Sequence, residues 1–323
     1  MNLVIFSICK DEESTIGDVL DGIPKSIAGI DTIKKLVVDD GSIDKTALVA
    51  VKHGASVIND GVQKRLAYRF REAISYCLEN NADIVVNIDG DMQFNPADIP
   101  KLVLPIVENR ADFVAADRFT DNNGKQRRPK NMPAGKYYGN KLGAWVVSKF
   151  SKHHFNDVTC GFRAYSRGAL IALNTNGAYT YTQESFQVLA MKRMRIQTVP
   201  INVKYFAGRK SRVVTNIFKY IAMSAMSILR SYRDFAPSRF FGWLGFLPFI
   251  IGFVAGVIFI AHWLITGSFS PYKFLGFSSM YFISLAIIFW VIGLVADMLS
   301  RMLNNQEKIL ENLKEIRYNK PKR

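Results

Sequence analysis

Residues 84–93 read IVVNIDGDMQ, and the fold turns on how that stretch is understood. From Ile84 to Ile88 the chain is apolar apart from Asn87, and then Asp89 and Asp91 stand one residue apart around Gly90. A short apolar run that stops at carboxylates and a glycine reads as a buried strand ending at a polar sheet edge. The same pattern lies upstream, where Lys35–Val38 runs into Asp39-Asp40-Gly41-Ser42. Working outward, Leu3–Ile8, Ala55–Ile58 and Phe113–Ala116 are further strand candidates. Asp11–Gly22, Leu66–Glu79 and Pro96–Asn109 carry helical signals between them. Strands alternating with helices predict an α/β fold with a mostly parallel sheet covered on both faces.

The chain has 323 residues, with 42 Lys+Arg against 27 Asp+Glu and a formal net charge of +15. At roughly 150 residues per domain this allows about two domains. The charges are unevenly placed: Phe240 to Tyr272 and Phe274 to Ala296 contain none, which excludes a wholly soluble chain. Each window offers roughly 23 spanning residues, about 34 Å of helix, enough for the hydrocarbon core of a bilayer. A buried hairpin of a soluble protein is the blander alternative, and two such windows in tandem would need a very large core around them. Seven Lys/Arg and one acid lie in residues 209–239, seven more with three acids in 301–323, and only Lys273 between the spans. Positive charge stays inside, so both termini are expected in the cytosol and the loop Gly267–Gly276 outside. Met1 to Cys9 is short, lacks a basic start and runs into Lys10-Asp11-Glu12-Glu13, so no signal peptide is expected.

Residues 120–136 are polar, basic and punctuated by Gly and Pro, as in a mobile loop. Helical patterning returns over 137–150 and starts again over Gly168–Asn174. Residues 213–235 place Val214, Ile217, Phe218, Ile221, Ala225, Ile228, Leu229 and Tyr232 on one face, as in an amphipathic helix along a membrane surface. Asn304–Tyr318 has Glu/Lys pairs at helical spacing and reads as a solvated helix. The expected organisation is a cytosolic domain over 1–208, basic juxtamembrane helices over 209–240, a two-span anchor over 241–299 and a cytosolic helix over 300–323. Gly252-x-x-x-Gly256 would allow spans of two chains to approach closely, as in a homo-oligomer. Cys9, Cys77 and Cys160 lack metal-ligand spacing and are expected as buried thiols, and His153-His154 indicates no zinc site. No nucleic-acid partner is expected.

In an open parallel sheet the carboxyl ends of the strands form the ligand crevice, so both acidic clusters should face one site. Asp89 and Asp91 can aim two hard oxygens at one cation, completed by substrate phosphates, which suits Mg²⁺ or Mn²⁺. Carboxylates at such turns also merely cap the next helix, and two clusters at equivalent ends weigh against that. A Walker A sequence and a G-x-G-x-x-G after the first strand are both missing, which argues against a P-loop NTPase and a dinucleotide dehydrogenase.

The succession KDEESTI, VVDDGSIDKT, NIDGDMQ, AADR, DVTCGFR, YTQE and GRKSR resembles glycosyltransferase family 2, and within it the polyprenyl-phosphate glycosyltransferases. The likeness runs in order over residues 3–215 and implies a GT-A type nucleotide-binding domain. It implies that Ile8, Lys10, Asp11, Glu12, Asp39, Asp40, Ser42 and Asp89 line the nucleotide-sugar site. It places Asp89, Asp91 and Gln93 at a metal. Asp91, Arg118, Arg128 and Glu184 are implied to act at the reacting groups. Arg127 or Arg128, with Arg163, Arg209, Lys210, Ser211 and Arg212, would meet the acceptor phosphate. A lipid phosphate monoester has a second pKa of about 6, so it is largely dianionic at neutral pH and needs no strong base. The implied partners are a UDP- or GDP-sugar and a polyprenyl phosphate at the cytoplasmic face, and the implied outcome is single transfer with inversion.

The chain departs from the family pattern in four places. Ile8 replaces a proline, Asp11 an asparagine and Cys160 a serine, and Lys64-Arg65-Leu66-Ala67 is less glycine-rich than expected. The Q-x-x-R-W motif of processive synthases is missing. One alternative keeps the fold and transfers to a hydroxyl of a glycan, protein or diacylglycerol, with Asp157 or Glu184 as base. Another is a non-catalytic, membrane-tethered sugar-nucleotide binder, which the presence of both Asp89 and Asp91 disfavours. A transporter reading is poorer still, since two spans form no path.

Overall fold

The computed structural model describes residues 1–121, 123–151, 153–174, 181–205, 233 and 236–318. The chain divides into two compact units, Met1–Ile221 with Glu311–Arg323, and Ala222–Leu310.

The first unit is built on one seven-stranded sheet in the order β3-β2-β1-β4-β6-β5-β7. Its strands are β1 (Asn2–Cys9), β2 (Thr32–Asp39), β3 (Ser56–Ile58), β4 (Ile84–Asn87), β5 (Phe113–Asp117), β6 (Arg163–Ser166) and β7 (Ile196–Pro200). β1 to β4 run parallel, and β6 alone opposes its neighbours. Among the described residues these helices accompany them: α1 (Ile16–Asp21), α2 (Thr46–Lys52), α3 (Leu66–Glu79), α4 (Ile99–Val107), α5 (Ala134–Ser151), α6 (Arg167–Ala172) and α7 (Thr182–Met191). The expected α/β class and mostly parallel sheet are borne out, but β6 and β7 gave no sequence signal. β6 (RAYS) mixes apolar and polar residues, and it is a strand because it bonds to β4 and β5 on both sides.

Alternation along β1 explains the two cores. Leu3 and Ile5 enter one apolar cluster with α1 and α4, while Val4 and Phe6 enter the other with α3, α6 and α7. Register then sets the height of the strand ends. Cys9 pairs with Asp39 and Phe6 with Asn87, so the polar residues after β1, β2 and β4 emerge along one edge.

The second unit contains α8 (Pro237–Thr266) and most of α9 (Lys273–Tyr318). Both are long and apolar enough to cross a membrane, and only 22% and 11% of their most apolar windows are buried, unlike core helices of a soluble protein. Gly245, Gly252 and Gly256 of α8 lie against α9. A Cβ at Gly252 would stand 3.0 Å from the Ser279 carbonyl, and one at Gly256 would stand 2.6 Å from Ser279 Oγ. The glycine pair expected to serve contacts between chains is therefore packed against the chain's own second span.

α9 is one 46-residue helix, where two separate elements were expected. No Gly or Pro interrupts Asp297–Tyr318, and Leu, Met, Lys and Glu sustain the helix. Its final turns are also not merely solvated. Within the first unit Glu311 pairs with Lys192, Lys314 donates to the Leu173 carbonyl at 3.2 Å, and Arg317 reaches Glu79 at 3.1 Å. Arg167 donates to the Tyr318 carbonyl at 2.7 Å, and Tyr318 packs against the α3 side of the core.

Candidate active site

The loops after β1 and β2 are laced together. Asp11 N–H donates to Ser42 Oγ at 2.9 Å, Ile43 N–H returns to Asp11 Oδ1 at 2.9 Å, and Glu12 N–H reaches Thr46 Oγ1 at 2.9 Å. Asp11 holds a positive φ of 53°. The short side chain of an aspartate tolerates that region, as the more usual asparagine would. Asp39 is almost wholly buried, and it accepts from Ser42 N–H at 3.0 Å, from the Ser42 hydroxyl, and from Asn59 Nδ2 at 2.7 Å. Asp40 accepts Lys64 N–H at 2.7 Å, Arg65 N–H at 3.1 Å and Arg69 Nε at 3.1 Å. Arg69 is itself fully buried and also bonds Glu72 and Asp60. Burial alone would depress its pKa, and these partners instead raise it. The carboxylates expected to touch the nucleotide are thus already engaged with protein donors. Arg69's part was not legible in the sequence, because an arginine within a helical pattern reads as surface.

The β4 edge is wired differently. Thr15 Oγ1 donates to the Gly90 carbonyl at 2.8 Å, and Asp91 accepts Gln93 N–H at 3.1 Å. Among the described residues no donor reaches Asp89. Burial, and after it the charge of Asp91, push its pKa up to about 6, against the pull of Arg118 and Arg163. Gly161 leaves it room, and Gly90 leaves room for Cys9. A Cβ at Gly161 would lie 3.0 Å from Asp89 Oδ1, and one at Gly90 only 2.5 Å from Cys9 Sγ. A buried carboxylate that accepts no donor, held near a second one, fits a divalent cation, and Asp89 and Asp91 would supply the hard oxygens. Among the described residues no three His, Cys, Asp or Glu side chains converge, so further ligands would come from substrate oxygens or Gln93. The three cysteines are free and buried, and burial raises the pKa of each, with Cys160 at about 12, so none offers a thiolate.

Across the crevice Arg118 follows β5. Its Nε and a terminal nitrogen grip Asp157 at 2.6 and 2.9 Å, and the guanidinium also donates to Thr159 Oγ1 at 2.7 Å and Tyr205 OH at 3.2 Å. Burial alone would raise the Asp157 carboxyl, but Arg118 outweighs it and holds the pKa below the ordinary value. Lys136, in the first turn of α5, lies over the Tyr205 ring with its ammonium 5.2 Å from the centroid. Burial and the charge of Arg118 lower its pKa, against the carboxylates of Asp91, Asp157 and Asp89. Sequence reasoning missed Lys136 and Tyr205, since the first sat at the end of a loop and the second carried no motif.

The remaining expected residues scatter. Ile8 and Lys10 are half-buried at the end of β1. Arg127 donates to Asn202 Oδ1 at 2.6 Å, and exposed Arg128 donates to the Met132 carbonyl at 2.8 Å, so each closes a loop. Glu184 stands in the first turn of α7, where a negative charge favours the helix. Arg163 corrects the sequence expectation of a phosphate contact. It is wholly buried, donates to the Cys160 and Val158 carbonyls at 2.6 and 3.0 Å, and lies against the rings of Phe113, Tyr181 and Phe186. β6 opens with Arg163 in the middle of the sheet, which turns its side chain into the core. Arg209, Lys210, Ser211 and Arg212, and the amphipathic stretch 213–235 apart from Arg233, lie outside the described residues.

The chain is 27% identical over 222 residues to the UDP-N-acetylglucosamine–dolichyl-phosphate N-acetylglucosaminyltransferase of Methanococcus voltae, covering 60% of this chain and 82% of that one. It is 22% identical over 320 residues to the undecaprenyl-phosphate 4-deoxy-4-formamido-L-arabinose transferase of Proteus mirabilis, covering 94% and 89%. Among solved structures, glucosyl-3-phosphoglycerate synthase of Mycobacterium tuberculosis, in a complex with Mn²⁺ and UDP, has the same fold. Its TM-score is 0.53 at 21% identity, over 72% of this chain and 78% of that one. Residues 4–173, more than half of the chain, match the family profile of glycosyl transferase family 2, and the chain belongs to that family.

Proposed function

We propose that the protein transfers one sugar from a UDP- or GDP-sugar to a polyprenyl phosphate, with inversion, at the cytoplasmic face of a membrane. The observation that carries the acceptor is the length of the Proteus match. It runs over 94% of the chain, which takes in both long apolar helices as well as the nucleotide-binding domain.

In this reading Ile8, Lys10, Glu12 and Ser42 line the nucleotide, while Asp39 and Asp40 hold the shape of its floor through the bonds they already make. Asp89 and Asp91, with Gln93 beside them, would hold Mg²⁺ or Mn²⁺. When bound, the cation neutralises charge on the leaving diphosphate. Arg118 keeps Tyr205 and the Asp157 loop in place on the opposite wall. Arg128, Arg127 and the basic run Arg209, Lys210, Ser211 and Arg212 would draw the anionic lipid head to the crevice. The positive flanks support a cytosolic catalytic domain with both termini on the same side. A lipid phosphate dianion attacks the anomeric carbon without a general base, so Asp157 is free to serve as the counter-ion of Arg118. That pairing also counts against a hydroxyl acceptor with Asp157 as base.

The test uses purified protein in detergent with Mg²⁺ or Mn²⁺, undecaprenyl phosphate and a panel of UDP- and GDP-sugars, read by mass spectrometry of the lipid. A lipid phosphosugar from one donor, lost on Asp91→Ala and with EDTA, is the expected result. Donor binding without any lipid product would sink the acceptor assignment and leave the nucleotide site standing.

A further inference from the structure

The turn Asp157–Gly161 joins the two walls of the crevice. At one end Asp157 and Thr159 accept from the Arg118 guanidinium at 2.9 and 2.7 Å. At the other end Gly161 lies against Asp89, where a Cβ would stand 3.0 and 3.2 Å from the two carboxylate oxygens. The carbonyls of this turn point inward and need donors from the core. Arg163 donates to the Cys160 carbonyl at 2.6 Å and to the Val158 carbonyl at 3.0 Å, and Asn87 Nδ2 donates to the Gly161 carbonyl at 2.9 Å. Asn87 also bonds the hydroxyl of Tyr181, one of the three rings around Arg163. Arg163 is fully buried, and among the described residues no carboxylate pairs with it. A buried guanidinium so placed is costly, and an apolar side chain would fill the same core without that cost. What only a guanidinium supplies here is one rigid plane of donors that meets two carbonyls together.

We propose that Arg163 is a positioning residue for Asp89: by holding the carbonyls of Val158 and Cys160 it keeps Gly161 against the carboxylate and so sets how its oxygens are presented to a divalent cation. This rests on the proposed reading of Asp89 as a metal ligand. Arg163 acts through the backbone of the turn and touches neither the cation nor the substrate. Lysine in its place would bring a point of charge on a flexible stem and could not hold both carbonyls in one plane.

The experiment compares full-length wild type, Arg163→Lys, Gly161→Ala and the double variant. It measures Mn²⁺ affinity in the presence of UDP by electron paramagnetic resonance, the thermal midpoint, and hydrogen exchange of the 157–161 amides. Gly161→Ala pushes the Asp89 carboxylate directly and is expected to weaken Mn²⁺ about tenfold with the midpoint nearly unchanged. Arg163→Lys is expected to weaken Mn²⁺ by about the same factor and to speed exchange in the turn. The double variant should bind Mn²⁺ within about threefold of the weaker single variant, because both changes act on one contact. Losses that multiply to about 100-fold overturn the proposal, since the two residues then act independently. It is equally overturned if Arg163→Lys lowers the midpoint while folded protein keeps its Mn²⁺ affinity, which marks a packing role. If Arg163→Lys does not fold, Gly161→Ala decides, with Mn²⁺ affinity within about threefold of wild type overturning the contact and a tenfold loss supporting it. If wild type binds no Mn²⁺, the metal reading of Asp89 fails separately. Exchange of the turn then decides Arg163 alone, and an unchanged rate in Arg163→Lys overturns it.

Discussion

At the end of β2, Asp39 and Asp40 accept from Ser42, Asn59, Lys64, Arg65 and Arg69, and both are almost wholly buried. At the end of β4, two strands away in the same sheet, Asp89 has no donor among the described residues and is pushed toward its protonated form by burial and by Asp91. Both clusters are paired aspartates at a strand terminus, yet both carboxylates of one are satisfied by backbone and side-chain donors, while in the other Asp89 accepts none among the described residues. The satisfied pair organises loops, because its hydrogen bonds exist before any ligand arrives. Asp89, buried beside Asp91 without a donor, is the carboxylate whose charge the fold does not compensate, so burial and donor count distinguish it from Asp39 and Asp40 where residue type does not.

The largest test of that contrast is Asp91→Ala. Loss of a metal-holding carboxylate should lower transfer about 1000-fold, seen in initial rates, with little change in the melting of metal-free protein. If melting falls as far as activity, the β4 pair is scaffold after all. Next comes Arg118→Ala, which strands the buried Asp157 charge and should cost about 3–5 kcal/mol in urea unfolding. A loss under about 1 kcal/mol would mean that water reaches the Asp157 carboxylate and the pair is not truly desolvated. Asp40→Ala should cost about 1–3 kcal/mol, because it leaves the Lys64 and Arg65 N–H groups and the Arg69 guanidinium short of an acceptor. Asp89→Asn should do the reverse at pH 8 without metal and leave stability unchanged or higher.

The pH dependence sharpens the same comparison. The folded Asp89 carboxyl titrates at about 6, above its ordinary 3.8, so its contribution to stability is present in acid and lost as pH rises through about 6. Metal-free protein should therefore lose some stability between those values, and divalent cations should restore it. Cation affinity should weaken as pH falls below about 6, measurable by Mn²⁺ titration. A flat Mn²⁺ affinity from pH 5 to 8 would count against Asp89 as a ligand. The smallest effect is expected at the end of α9. Arg317→Ala removes an exposed pair with Glu79 and should cost less than about 1 kcal/mol.

Much of the fold could be read from local pattern. Ile84–Ile88 before Asp89, Lys35–Val38 before Asp39 and the exact extent of Leu66–Glu79 follow from runs of apolar residues and from period, which neighbours in sequence determine. The site was legible as residue types at strand ends, and Asp89, Asp91 and Arg118 do stand at one edge. Arg163 misled because its motif is polar while its place in the sheet is central. Lys136 was hidden because nothing near it in sequence says that Tyr205, 69 residues later, supplies its platform.

By itself, then, the sequence determined the α/β alternation, the two carboxylate clusters and the two apolar helices, all of which depend on short-range periodicity and on the absence of charge over a span. The tertiary structure alone decided which charges are spent and which are held open. It fixed Arg69 on Asp40 across 29 residues, Arg118 on Asp157 across 39, and the end of α9 on Glu79 across 238. Such pairings depend on strand register and on the packing of helices over the sheet. Only once those are set does burial fix that Asp39 and Asp40 are met by donors while Asp89, the same residue type at the end of β4, is not met by any among the described residues.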